Sequence, residues 1–267
     1  MQYDLLIFSG QSNMQGQCEK LADREPLEMA LEYRYLQNRF QLLRDPVGED
    51  IRYDGSAGLH ITKNVKISSW LPDHVTGSPV FGHSTLVPPF CRVYTEETEC
   101  RAVAVSVAKG STQLKDWLPG TPAYEFLCKK VDAARAALQK QGDIRHVYFI
   151  WLQGESDALA RVTKEEYMDQ LARFNESLRA DLRVEKFGII RVGRFAGPEK
   201  DGPIMDAQDA ICEENSGFLM LSTMAADLYD QPECMNPNAN GHFSAKGLQM
   251  LGEDAGHALG KYAKRNS

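Results

Sequence analysis

The chain has 267 residues, of which 43% are hydrophobic and 25% charged, and its formal net charge is −7. That length and balance suit a globular protein with a sizeable core. An acidic balance with no Lys/Arg run counts against a nucleic-acid partner, and no apolar stretch is long enough to span a bilayer.

The first apolar run, Leu5–Phe8, reads as a buried strand that enters a turn at Gly10-Gln11-Ser12-Asn13-Met14. Because it begins so early, no secretory leader is expected before it. The expected location is the cytoplasm, with a removed leader as the alternative. Residues Gln15 to Pro89 form a long stretch of mixed polarity with few strand signals and turn-like segments at Asp54–Gly58 and Thr76–Pro79. A structureless loop of that length is improbable in a compact domain. We therefore expect an ordered insertion that forms one wall of a cleft.

Four more short apolar runs follow: Ala102–Val107, Val147–Leu152, Gly188–Val192 and Phe218–Ser222. Strands buried on both faces of a parallel sheet have this continuous apolar character. Helix-length amphipathic segments alternate with them at Tyr124–Gln139, Lys164–Leu182, Ile204–Glu213 and Ala245–Tyr262. Thr163 with Glu166 reads as a capping box for the second, and Ser244 as the N-cap of the last. The alternation predicts a three-layer α/β/α domain with five parallel strands, spanning residues 1–267 with an insertion at about 15–89. No linker or repeat interrupts it. Six scattered cysteines without a CxxC pair are expected to be reduced thiols, and neither a zinc site nor a cofactor is expected.

Four segments at strand ends or before the last helix carry the chemistry. Ser12 at the tip of its turn is a candidate nucleophile, and its own N–H a candidate oxyanion donor; the alternative is a plain polar turn. It lacks the final glycine of a Gly-x-Ser-x-Gly elbow, because Met14 stands there. Lys109-Gly110-Ser111-Thr112 brings a glycine N–H toward a ligand oxygen, or is an ordinary strand-to-loop glycine. Trp117 walls a sugar site, or is a core or subunit-contact residue. Trp151-Leu152-Gln153-Gly154-Glu155-Ser156-Asp157 puts an amide and two acids at a strand end. An amide there stabilises an oxyanion and a carboxylate there orients a histidine; the alternative is an acid cluster favoured by a helix dipole. His242, in the polar segment before the last helix, is the candidate base that a serine nucleophile needs. The remaining histidines have weaker contexts, although His83 follows a glycine.

Together these blocks resemble the SGNH (GDSL-like) hydrolase superfamily, and within it the sialate O-acetylesterase and acetylxylan esterase branch, carbohydrate esterase family 6. The matching residues are Gly10 to Met14, Lys109 to Thr112 with Trp117, Trp151 to Asp157, and His242, in family order across nearly the whole chain. The resemblance implies a flavodoxin-like sheet and a metal-free serine esterase acting on small acetylated carbohydrates. Ser12 would be the nucleophile and His242 the base. The oxyanion donors would be the N–H groups of Ser12 and Gly110 and the side chain of Gln153. Gln11, Asn13, Ser111, Trp117 and Asp157 would contact substrate. Many members carry an aspartate three residues before the histidine; here that position is Ala239. Glu155 is then the candidate acid. Asp157, Asp227 and Asp230 are alternatives, as is a Ser–His dyad with no acid. The competing functions are an esterase or lipase of non-sugar esters and a non-catalytic carbohydrate-binding relative.

Overall fold

The computed structural model describes residues 1–18, 25–35, 37–48 and 84–266. The turn-like segments at Asp54–Gly58 and Thr76–Pro79, and His60, His74 and His83, lie outside the described residues.

All five apolar runs form strands, but the sheet holds seven. In chain order they are β1 (Gln2–Gly10), β2 (Leu27–Arg34), β3 (Arg39–Leu43), β4 (Arg101–Ala108), β5 (Asp143–Leu152), β6 (Lys186–Ile190) and β7 (Phe218–Ser222). Their order across the sheet is β3-β2-β4-β1-β5-β6-β7. Neighbours are parallel except β2 and β3, which pair antiparallel. The two additional strands correct the five-stranded expectation, and both come from the 15–89 stretch. β2 escapes a sequence reading because it carries Glu32 and Arg34 at buried positions, paired at 3.1 Å. Burial pushes the Glu32 carboxyl up to about 7. Charges at inward positions remove the apolar signature of a strand.

Eight α-helices are present among the described residues: α1 (Ser12–Gln15), α2 (Val87–Thr98), α3 (Pro122–Leu138), α4 (Glu155–Leu159), α5 (Lys164–Leu182), α6 (Pro198–Glu214), α7 (Ala225–Leu228) and α8 (Ala245–Arg265). The four expected helices are there, with α3, α6 and α8 a few residues longer at one end or both. Thr163 and Ser244 accept the backbone N–H groups of Glu166 and Gly247 as N-caps. α2 was not anticipated; its prolines sit in the first turn, where a missing N–H costs nothing.

Alternation along the strands sends side chains to two helical layers. On one face Phe8 meets Phe90 of α2 edge-on at 5.1 Å, and Tyr148 meets Tyr94 of α2 and Tyr262 of α8. On the other, Phe149 and Trp151 pack on Phe174 of α5. α2 and α8 touch backbone to backbone. A Cβ on Gly252 or Gly256 of α8 would lie 2.4 or 2.5 Å from the carbonyl oxygen of Leu86 or Phe90. No helix among the described residues is long and apolar enough to cross a membrane.

The chain runs β1, β2, β3 and β4 on one side of the sheet, then crosses to the far side of β1 for β5. Open α/β sheets bind ligands beyond the carboxyl ends of strands at such a reversal. Ser12 follows β1, Gly110 follows β4 and Gln153–Asp157 follows β5, so all three blocks converge there.

Candidate active site

β1 ends at Gly10, which has φ +147°. A Cβ there would fall 2.1 Å from the carbonyl oxygen of Leu152, on neighbouring β5. Only glycine tolerates both the conformation and the approach. The next residue, Gln11, donates its N–H to that same carbonyl at 3.1 Å. The chain then turns directly into α1, with Ser12 as its first residue. An N–H at this helical position has no intrahelical acceptor, so Ser12 presents both a hydroxyl and a backbone donor to the same space.

His242 lies 230 residues away in sequence, and its Nε2 is 2.9 Å from Ser12 Oγ. The Nδ1 atom sits 3.1 Å from the carbonyl oxygen of Asn240. A carbonyl only accepts, so Nδ1 carries the proton and Nε2 is left to accept from the serine hydroxyl. Burial holds the imidazole below its ordinary value, opposed by the backbone carbonyls of Asn240 and Ala239. The loop is fastened to the nucleophile turn at several points. Asn236 Nδ2 donates to the Gln17 carbonyl at 3.0 Å, and Phe243 N–H donates to Asn13 Oδ1 at 3.2 Å. Tyr229 O–H donates to the Gly241 carbonyl at 2.7 Å. Phe195 stands edge-on to the imidazole, ring centroids 6.0 Å apart.

No candidate carboxylate touches the imidazole. Glu155, expected as the orienting acid, accepts from Asn13 Nδ2 at 2.9 Å instead, while its second oxygen is buried without a partner. Burial pushes its carboxyl up. Asp157 accepts from the Leu114 N–H at 3.1 Å and from Gln153 Nε2, and burial pushes it up to about 7. Asp227 is exposed, and Asp230 is paired with Arg194 at 2.8 Å. The position beside Nδ1 that a carboxylate would take is filled by main chain.

The expected oxyanion donors fare differently. Gln153 is fully buried, and its Nε2 already has the Thr112 carbonyl at 2.8 Å, Gln11 Oε1 and Asp157 as acceptors. Its amide braces the strand ends and has no donor left for a ligand. The Gly110 N–H points to an oxygen, here Gln15 Oε1 at 2.9 Å. Gly110 lies against the serine: a Cβ there would come within 3.4 Å of Ser12 Cβ and 2.9 Å of Gln17 Nε2. Gln17 is thus a polar neighbour of the site that the sequence reading did not single out, as are Tyr229 and Asn236, and Phe195 is an apolar one. A glycine following the short helix (Gly16, φ +89°) was the available signal for Gln17, because a left-handed residue there turns the chain back.

Of the five residues expected to contact substrate, only Ser111 is exposed. Gln11, Asn13, Trp117 and Asp157 are all buried and bonded internally. Gln11 Oε1 accepts from the Ser156 N–H at 3.2 Å. Trp117 donates to Thr112 Oγ1 at 3.0 Å and stands edge-on to Trp151. These four hold the frame of the site. The physical reason is that a polar residue at a strand end satisfies its hydrogen bonds inward when its neighbours leave unpaired backbone groups there.

A family model described as carbohydrate esterase, sialic acid-specific acetylesterase, matches residues 2–261. A protein of Arabidopsis thaliana described as a probable carbohydrate esterase is 29% identical over 133 residues, 47% of this chain and 49% of that protein. The chain thus matches about half the length of that curated relative. The crystal structure of an Arabidopsis thaliana protein superposes with a TM-score of 0.64 at 19% identity, covering 96% of each chain. NanS superposes with a TM-score of 0.66 at 16% identity, covering 99% of this chain and 98% of the other. A carbohydrate acetylesterase of Xanthomonas citri gives 0.54 at 15% identity, over 99% of this chain and 57% of that one. At these identities the superpositions speak for the fold alone.

Proposed function

The chain belongs to the family of carbohydrate esterases described as sialic acid-specific acetylesterases, and from that premise we propose that it is a serine esterase removing O-acetyl groups from a carbohydrate. The observation that carries this reading is the 2.9 Å contact between Ser12 Oγ and His242 Nε2 at the carboxyl edge of the sheet. Ser12 attacks the acetyl carbonyl carbon while its proton passes to Nε2. The Ser12 N–H stabilises the developing oxyanion, and the Gly110 N–H joins it when the substrate oxygen takes the place of Gln15 Oε1. Each such donor is worth about 2.7–4 kcal/mol of barrier. His242 returns the proton to the departing sugar oxygen. It then takes a proton from water, whose oxygen attacks the acetyl-serine; acetate leaves and Ser12 recovers its proton. The Asn240 carbonyl does the orienting that a carboxylate does in a Ser-His-Asp triad, keeping the proton on Nδ1. The substrate is a small acetylated sugar, either a sialic acid or an acetylated xylan fragment.

The test is acetate release by the pure protein from a chromogenic acetyl ester and from a panel of acetylated sugars. Ser12→Ala is expected to abolish release with an unchanged melting curve, and short acyl chains are expected to outrun long ones. Full turnover by Ser12→Ala removes the nucleophile assignment.

A further inference from the structure

We infer that Glu155 is a positioning residue for His242 that acts at one remove, through Asn13. The inference rests on the serine esterase reading above and concerns how that pair is held. Asn13 grips the two peptide groups that flank the histidine. Its Oδ1 accepts from the Phe243 N–H at 3.2 Å, and its Nδ2 reaches the Gly241 carbonyl at 3.4 Å. On the far side, Nδ2 donates to Glu155 Oε1 at 2.9 Å. An amide has a donor end and an acceptor end, and it serves Phe243 only with the acceptor facing it. Glu155 supplies the acceptor that keeps the donor end turned away. Without it the donor end keeps only the longer contact to the Gly241 carbonyl at 3.4 Å, and the amide is held less firmly against the two peptide groups.

Two further observations separate this role from simple packing. Nδ1 faces the Asn240 carbonyl at 3.1 Å, and no acid among the described residues is bonded to the imidazole. Glu155 is also 2% exposed with its Oε2 unpartnered among the described residues. A half-satisfied buried carboxyl costs stability relative to an apolar side chain of the same size. The fixed acceptor it offers Asn13 is the role this geometry gives it. Burial raises the carboxyl's affinity for its proton, and Oε1 accepts from Asn13 in either protonation state. The bond, not the charge, is what this role needs.

The test uses the full chain and reads kcat and KM on an acetyl ester. A wild type that turns over and an inert Ser12→Ala establish the underlying reading first, so that its failure is seen separately. Glu155→Leu and Asn13→Ala are each expected to lower kcat about 30- to 100-fold with KM within about twofold, the scale of a misplaced catalytic group. Their double variant is expected within about threefold of the worse single, because both cut one chain of contacts. Glu155→Gln retains the acceptor and is expected to recover kcat to within about fivefold of wild type. In Glu155→Leu the acid limb of kcat/KM moves up toward the ordinary imidazole range as the loop loosens and water reaches His242. If Glu155→Gln is as impaired as Glu155→Leu, the charge matters and the inference fails. Losses that multiply in the double variant, or a Glu155→Leu enzyme with wild-type kcat, also overturn it. Should Glu155→Leu not fold, Asn13→Asp replaces it. That change sets two carboxyls together, and adding Glu155→Gln restores a donor between them and with it the kcat; no restoration contradicts the inference.

Discussion

Replacing Gly10 by alanine tests how the sheet places the serine. Two penalties arise at one atom. The φ of +147° lies where L-residues are strained, a cost of about 1–3 kcal/mol. The added Cβ sits 2.1 Å from the Leu152 carbonyl oxygen, and relieving that contact needs about 1 Å of retreat by backbone at the centre of the sheet, another 1–3 kcal/mol or so. The same retreat stretches the bond from the Gln11 N–H to Leu152, worth about 1 kcal/mol. The expected destabilisation is about 3–7 kcal/mol, a large part of a typical domain's stability. Ser12 is two residues on, and a shift of about 1 Å against His242 lowers turnover by roughly a hundredfold. Urea unfolding gives the first quantity and acetate release the second. A Gly10→Ala protein within about 0.5 kcal/mol of wild type and fully active would refute the argument that this close approach builds the site.

Two pH experiments follow from burial. His242 must be neutral to accept the serine proton, and burial lowers its pKa, so the acid limb of kcat/KM should have a single-proton slope centred below 6.5. A limb centred above that value contradicts the geometry. Asp157 is raised from 3.8 to about 7 in the folded protein. Between those values the folded state holds a proton that the unfolded state has lost. Stability is therefore highest below the lower value and falls as pH rises toward the upper. Relative to Asp157→Asn, whose altered hydrogen bonds add a pH-independent offset, wild type should lose on the order of 3–4 kcal/mol from pH 4 to pH 8. Paired urea unfolding curves measure it, and a pH-independent difference contradicts the assignment.

Strands buried on both faces announce themselves, which is why Leu5–Phe8, Ala102–Val107 and Val147–Leu152 were readable and carried the three strand-end blocks with them. The meeting of Ser12 and His242 was readable for the same reason, since both were expected at the same edge of the sheet. β2 was hidden because Glu32 and Arg34 pair inside the sheet and so mimic an exposed segment. α2 was hidden by its opening prolines and by the polar stretch before it. Which way a polar side chain faces at a strand end depends on which backbone groups its neighbours leave unpaired, and no local pattern encodes that. Gln11, Asn13, Gln153 and Asp157 turn inward for this reason, and Trp117 follows them to reach Thr112. The group beside His242 Nδ1 had no signature at all: it is the main-chain carbonyl of Asn240, and every residue has one.

Labelling with an acetyl-like phosphonate ester, followed by peptide mass analysis, addresses the Ser12–His242 pair most directly. Wild type should carry the adduct on the peptide containing Ser12, and His242→Ala should be labelled at least a hundredfold more slowly while melting as wild type does. An adduct at another residue, or equal labelling rates with and without the imidazole, would contradict the account.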